Sequence, residues 1–224
     1  MSQIGFREFP ISRPADELVQ LFKDLPVANI ADNMGRIYCV DAAIKPFSKT
    51  PMLGTAFTVK APLGDNLMFH RALDLAQPGD IIVVDAAGGM ERSLCGEIMM
   101  RFAISRNLGG FLIDGCIRDV DAAREADFPI FARGVTPQGP YKNGPGEINV
   151  PVCIGGIAVL PGDIIVGDSD GIVVIRPEDA AELAEKARKH NDGEAVTFSR
   201  IANGTFDHSW VETALQAKGF FENK

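Results

Sequence analysis

The stretch Gly110-Phe111-Leu112-Ile113-Asp114-Gly115-Cys116-Ile117-Arg118-Asp119 passes from an unbroken apolar run to a pair of opposite charges. The run reads as a buried strand, because a short continuous apolar segment suits a strand covered on both faces. A strand end that delivers an Arg and an Asp to one spot suggests a site. An Asp carboxylate offers an oxygen to a hard divalent cation, and a guanidinium holds a planar oxyanion by two hydrogen bonds. The same dipeptide also suits a plainer role, with Asp119 capping a helix that starts near Val120 and Arg118 in a surface ion pair.

Upstream, Ser93-Leu94-Cys95-Gly96-Glu97-Ile98-Met99-Met100 reads as the start of a helix, with Ser93 as an acceptable cap. Leu94, Ile98 and Phe102 fall four apart on one face. Glu97 then lies in the first turn, where the helix dipole favours a carboxylate facing water. The same placement supports binding. Gly96 lets a ligand approach the backbone, and the unpaired amides of Gly96, Glu97, Ile98 and Met99 form a pocket suited to a substrate carboxylate.

The spacing Gly96-Glu97, twenty residues, then Arg118-Asp119 resembles the acidic-x20-Arg-Asp motif of the RraA-like family, which includes the 4-hydroxy-4-methyl-2-oxoglutarate aldolases. Other segments resemble the family too: Gly64-Asp65-Asn66-Leu67 with His70-Arg71-Ala72-Leu73, Pro78 to Asp85, Val150-Pro151-Val152 with Gly155-Gly156, and Pro161-Gly162-Asp163 through Asp168-Ser169-Asp170-Gly171. The resemblance covers roughly residues 25 to 205. One position departs from it: the acidic residue is Asp in the characterised aldolases and Glu97 here.

The resemblance implies an α/β fold of the swivelling β/β/α type, with a mixed sheet and assembly as a homotrimer or a hexamer. It implies that Asp119 holds Mg²⁺ or Mn²⁺, that the amides of Gly96 to Met99 hold a 2-keto acid's carboxylate, and that Arg118 stabilises the keto oxygen. Glu97 would order a metal-bound water and Arg118, or relay a proton. The implied activity is metal-dependent cleavage of 4-hydroxy-2-keto acids to pyruvate, with oxaloacetate decarboxylation through the same enolate. Two other readings stay open: a non-catalytic regulator, since some RraA-like proteins bind and inhibit a ribonuclease, and a lyase or decarboxylase for another sugar acid.

Composition narrows the classes. A chain of 224 residues, 46% hydrophobic, suffices for one domain with a full core. Its net charge of −8 argues against a nucleic-acid partner. No apolar stretch approaches a membrane span and no leader pattern opens the chain, so a cytoplasmic protein is expected. Cys39, Cys95, Cys116 and Cys153 are widely spaced, without a C-x-x-C pair, and read as reduced core residues.

The expected layout is a single domain over 1–224, with a helical N-terminal segment over about 1–35 and a helical tail over about 177–224. Helices are expected at Asp16–Phe22, Val27–Met34 and Asn66–Leu75, and strands at Gly54–Ala61 and 80–85. The phrase Pro-Gly-Asp-Ile-Ile-Val-x-Asp recurs at 161–168 and reads as convergent turn-and-strand chemistry rather than duplication. Asp168 and Asp170 suit a hairpin turn. Pro177 opens a helix with Lys186 to His190 in its last turn and Gly193 just beyond. The segment after Gly193 carries Ile201, Phe206 and Trp210 and is expected to reach a neighbouring subunit. The Gly- and Pro-rich run 136–151 predicts an ordered loop that covers or builds a site. His70 reads as a structural helical histidine, and neither Lys60 nor Lys142 sits in a Schiff-base setting. No Walker or dinucleotide-binding loop is present.

Overall fold

The computed structural model describes residues 4–221. In chain order it contains β1 (Phe6–Glu8), α1 (Asp16–Gln20), α2 (Val27–Asp32), β2 (Lys45–Pro46), β3 (Met52–Lys60), α3 (Leu67–Leu75), β4 (Asp80–Cys95), α4 (Glu97–Ser105), β5 (Gly110–Ile117) and α5 (Val120–Glu125). There follow β6 (Ile130–Val135), β7 (Gly146–Ile148), β8 (Val152–Ile154), β9 (Ile157–Val159), β10 (Ile164–Asp168), β11 (Gly171–Ile175), a 3₁₀ turn at Pro177–Asp179, α6 (Ala180–Ala202) and α7 (Trp210–Gln216). No helix among the described residues is long and apolar enough to cross a membrane.

One mixed sheet runs β1-β7-β3-β4-β5-β6-β2, with β10 on β3 and β11 on β10. Its centre, β3-β4-β5-β6, is parallel, while β7 and β10 meet β3 antiparallel. The strands read as continuous apolar runs because both faces are covered. Phe57, Val59, Ile82, Val84, Phe111 and Ile113 pack with α3 and α4 through Phe69, Leu73, Met99 and Ala103. Their alternates Ala56, Ile81, Val83 and Leu112 face Val152, Ile154 and Val159 of the β8-β9 hairpin. A further layer sets Phe22, Ile30, Leu183 and Ala187 against the outer side of β10 and β11. The result is a single-domain α/β fold with a mixed sheet core.

The repeated phrase places β4 and β10 in opposite senses beside β3. In each copy the first Asp closes its own turn: Asp80 accepts the Gln77 N–H at 2.8 Å and Asp163 the Leu160 N–H at 2.7 Å. Asp168 and Asp170 flank the expected hairpin, and Asp168 Oδ1 accepts the Asp170 N–H at 2.9 Å.

Several expectations are corrected. The helix expected from Ser93 starts at Glu97, because β4 extends through irregular pairing as far as Cys95 and buries Ser93, whose N–H and hydroxyl both donate to Gln138 O. The later start turns Met99, Met100 and Ala103 inward and leaves Ile98 83% and Phe102 42% exposed. α6 runs through Gly193 to Ala202, since that glycine has a helical φ and weakens a helix without ending it. The segment 1–35 holds strand β1 as well as helices, and the outermost residues of both terminal segments, 1–3 and 222–224, lie outside the described residues. The loop 136–151 contains β7. All four cysteines are free, but Cys39 and Cys153 are exposed and only Cys95 and Cys116 are core residues.

Phe111 sits edge-on between Phe69 and Phe128, each ring centroid 5.0 Å away, and is fully buried. Phe111→Ala is expected to destabilise the fold by about 3–5 kcal/mol, read as a lower urea midpoint.

Candidate active site

The end of β5 is locked to the end of β4 where the Arg118 N–H donates to Cys95 O at 3.0 Å. The chain then turns at Asp119, which adopts the left-handed conformation at φ 57°, a region an Asp tolerates better than most residues. Asp119 stands before α5, as the plain reading expects, but makes no capping bond there. Its carboxylate crosses to the neighbouring helix instead: Oδ2 accepts the Glu97 N–H at 2.9 Å, at the first turn of α4. Arg118 Nε lies 3.7 Å from the same oxygen. The helix has no cap of its own because Gly96 precedes it, and a Cβ there would overlap Asp119 Oδ2 and come within 3.0 Å of the Arg118 stem.

These groups form one side of a cleft of about 130 Å³. Gly96, Ile98, Met99, Arg118 and Asp119 line that side, as expected. Glu97 is the exception among the expected residues. Its carboxylate pairs with Arg101, one turn along the helix, at 2.6 Å, and it reaches the site through its backbone N–H. An i,i+4 partner on an exposed helix face is the nearest charge available to it.

Asn66, His70, Pro140 and Lys142 also line the cleft, as do Ser93, Leu94 and Cys95, and Asn66 Nδ2 lies 3.5 Å from Met99 Sδ. Asn66, 2% exposed, donates Nδ2–H to Leu94 O at 2.7 Å, while its buried Oδ1 has no partner. His70 Nε2 lies 2.9 Å from Lys142 Nζ and 3.4 Å from Asn66 Nδ2. Both neighbours are donors, so Nε2 is the accepting nitrogen and the ring proton sits on Nδ1. The loop that carries Lys142 is tied down by Asp65, whose carboxylate accepts the N–H groups of Asn143 at 2.6 Å, Gly144 at 3.0 Å and Leu67 at 2.9 Å. Burial pushes the Cys95 thiol up, with Asp119 adding to the effect and Arg118 opposing it, so that residue lines the cleft as a neutral side chain.

The 136–151 loop does help build the cleft, as expected, through Pro140 and Lys142, whereas Asn66 and His70 were not expected there. The Asp65-Asn66 dipeptide was their signal, but nothing local links it to position 118.

A mixed α/β fold whose sheet ends deliver Arg118 and Asp119 to a helix N-terminus defines the class. The sequence model of the RraA-like family, described as Aldolase/RraA, matches residues 27–174. A protein of Halalkalibacterium halodurans named "Putative 4-hydroxy-4-methyl-2-oxoglutarate aldolase" is 37% identical over 180 residues, covering 80% of this chain and 86% of that one. An uncharacterized protein from Pseudomonas syringae pv. tomato superposes with a TM-score of 0.75 at 28% identity, covering 86% of this chain and 96% of its own. RraAS2 of Streptomyces coelicolor, described as an unusual member of the RNase ES inhibitor RraA protein family, superposes with a TM-score of 0.74 at 28% identity, covering 85% of this chain and 100% of its own. The chain belongs to the RraA-like family.

Burial, and then the Lys142 ammonium, hold the His70 ring below its ordinary value of 6.5, with Asp74 opposing. The unfolded chain therefore binds that proton more readily than the folded one. His70 should make stability fall as pH drops through about 6.5 toward the folded-state value, and level off below it. Urea midpoints between pH 5 and 8 should show this slope in the wild type and a shallower one in His70→Gln.

Proposed function

We propose that the protein is a divalent-metal-dependent lyase that cleaves 4-hydroxy-2-keto acids, such as 4-hydroxy-4-methyl-2-oxoglutarate, to pyruvate. Oxaloacetate decarboxylation is the companion activity, because both reactions pass through the pyruvate enolate. The observation that carries this reading is the Asp119 carboxylate seated against the Glu97 N–H beside Arg118. The named relative from Halalkalibacterium halodurans supports it.

Among the described residues no group of three or more His, Cys, Asp or Glu is gathered to hold a metal. Among the described residues Asp119 is the one carboxylate lining the cleft, and with Oδ2 engaged by the Glu97 N–H its other oxygen is left for a ligand. A single hard oxygen donor fits Mg²⁺ or Mn²⁺, which keep most of their waters, and not zinc, which takes three or four nitrogen and sulfur ligands. Asp119 would hold the ion, which supplies Lewis-acid stabilisation of the keto oxygen as that oxygen gains charge.

The protein's own groups do the rest. Arg118 directs its guanidinium at the keto oxygen and stabilises the developing charge. The Ile98 and Met99 amides at the N-terminus of α4 receive the substrate carboxylate, while the Glu97 amide fixes Asp119. Proton transfer from the Glu97 carboxylate requires its pair with Arg101 to open first.

Asp119→Ala is expected to abolish metal-stimulated pyruvate release, and Arg118→Lys to lower kcat by about 10²–10³, because an ammonium lacks the planar two-pronged contact. A coupled pyruvate assay over a panel of 2-keto acids, with and without EDTA, tests both. The second reading, a non-catalytic regulator that binds a ribonuclease, draws on the similarity to RraAS2. No pyruvate from any keto acid with metal supplied would favour it.

The working form we propose is a homotrimer or hexamer in the cytoplasm. Beside the cleft Ile98 projects into solvent, and along the C-terminal arm Val196, Phe198, Ile201 and Trp210 are all more than half exposed. Exposed apolar side chains in such number mark a contact surface. Light scattering at micromolar concentration should return at least three chains per particle, and a fully active monomer would reject the assembly.

A further inference from the structure

Among the described residues two cations line the cleft and a single carboxylate answers them: Arg118 and Lys142 are positive and Asp119 is negative. Burial keeps the two other ionisable groups there, His70 and Cys95, in their neutral forms. Arg118 lies beside Asp119, whereas no carboxylate among the described residues pairs with Lys142. We propose that Lys142 receives a second carboxylate on the substrate, so that the cleft selects dicarboxylic over monocarboxylic 4-hydroxy-2-keto acids, with His70 as the positioning residue of the ammonium. This inference rests on the lyase reading above and names which of its substrates the site prefers.

Three observations carry it. The first is that the ammonium has a fixed place. One of its N–H groups donates to His70 Nε2 at 2.9 Å, which spends the lone pair of that nitrogen and leaves two N–H groups of Lys142 for a ligand. A charged donor without a counter-ion, aimed by a neutral ring, suits a carboxylate.

The second is a chain of contacts from that ammonium to the first turn of α4. His70 Nε2 lies 3.4 Å from Asn66 Nδ2, and the same Asn66 nitrogen lies 3.5 Å from Sδ of Met99, whose amide is assigned to the keto acid's own carboxylate. The groups for the two carboxylates thus stand at the ends of one short series of side chains.

The third is the course of the backbone that bears Lys142. It passes against Arg118, since a Cβ on Gly139 would come within 3.4 Å of Arg118 Nη1. Arg92 holds Gly139 O at 2.7 Å on one side of Lys142, and Asp65 holds the Asn143 and Gly144 N–H groups on the other.

The chemistry gives this contact a use. In 4-hydroxy-4-methyl-2-oxoglutarate the second carboxylate stands on C4, the carbon that bears the hydroxyl and departs when the C3–C4 bond breaks. Lys142 then holds the leaving half of the molecule while α4 and Arg118 hold the half that becomes the enolate. In 4-hydroxy-2-oxopentanoate a methyl group takes that place, and the ammonium gains nothing from binding.

The test uses the full-length protein with Mg²⁺ and compares cleavage of these two acids. Wild-type protein should favour the dicarboxylate in kcat/KM. Lys142→Met should lower kcat/KM for the dicarboxylate by about 10–100-fold, chiefly through KM, as a lost hydrogen bond to a charged group does. The loss for the monocarboxylate should be much smaller. Lys142→Arg keeps the charge and should retain most of the preference. His70→Leu should raise KM chiefly for the dicarboxylate, and His70→Gln, whose side-chain oxygen can accept the same N–H, should recover part of that loss. A wild type without the preference, or a KM in His70→Leu equal to that of the wild type, would overturn the proposal and leave the lyase reading standing. So would equal losses on both acids in Lys142→Met, the result expected if Lys142 bound a free anion instead. Wild-type protein that releases no pyruvate from any keto acid would overturn the lyase reading and this proposal with it.

Discussion

The hydrogen bond from the Glu97 N–H to the Asp119 carboxylate is the interaction on which the site depends. It joins two consecutive strand-to-helix connections, so the end of β4, the start of α4 and the end of β5 are fixed with respect to one another. An N-terminal cap is worth about 1 kcal/mol, and here a residue 22 positions away supplies it because Gly96 cannot. The close approach excludes any side chain at position 96. The carboxylate that caps α4 is thus the same one that lines the cleft beside Arg118.

The rest of the cleft is built differently. Lys142 rides on a loop whose place is set by two of its N–H groups, those of Asn143 and Gly144, donating to Asp65 and by Ser93 donating to Gln138 O. Asp65 is 4% exposed, and its carboxylate is one anchor of the turn. Helix α3 then presents Asn66 and His70 to the same cleft.

The central strands were legible because burial on both faces removes the alternation that makes exposed strands ambiguous, as Gly110 to Ile117 illustrates. The start of α4 was not legible: Ser93 has the chemistry of a cap, but its hydroxyl is used by Gln138 O, a contact 45 positions away. Arg118, Asp119, Gly96, Ile98 and Met99 come together at one cleft as the sequence suggests, because two short segments carry them all. Asn66, His70 and Lys142 were missed as a group, since His70 and Lys142 stand 72 positions apart and meet only after the sheet has set its strand order. Glu97 shows the limit of spacing arguments. Its position in the chain was read correctly, and the choice of its side chain between cleft and Arg101 is settled by the helix surface.

The two chain segments that meet at the cleft are held in place by different means. Arg118 and Asp119 stand just past a strand end that cannot shift without disturbing the sheet, whereas the turn that carries Lys142 is held by the Asp65 carboxylate, by Ser93 and Arg92 of β4 donating to Gln138 O and Gly139 O, and by the Tyr141 N–H donating to Gly64 O. Residues 138–144 are tied to β4 at one end and to Asp65 at the other, so a change of length there would have to break one of the two anchors. The cleft thus joins a part held by the strand pairing of the sheet to a part held by hydrogen bonds to a single turn.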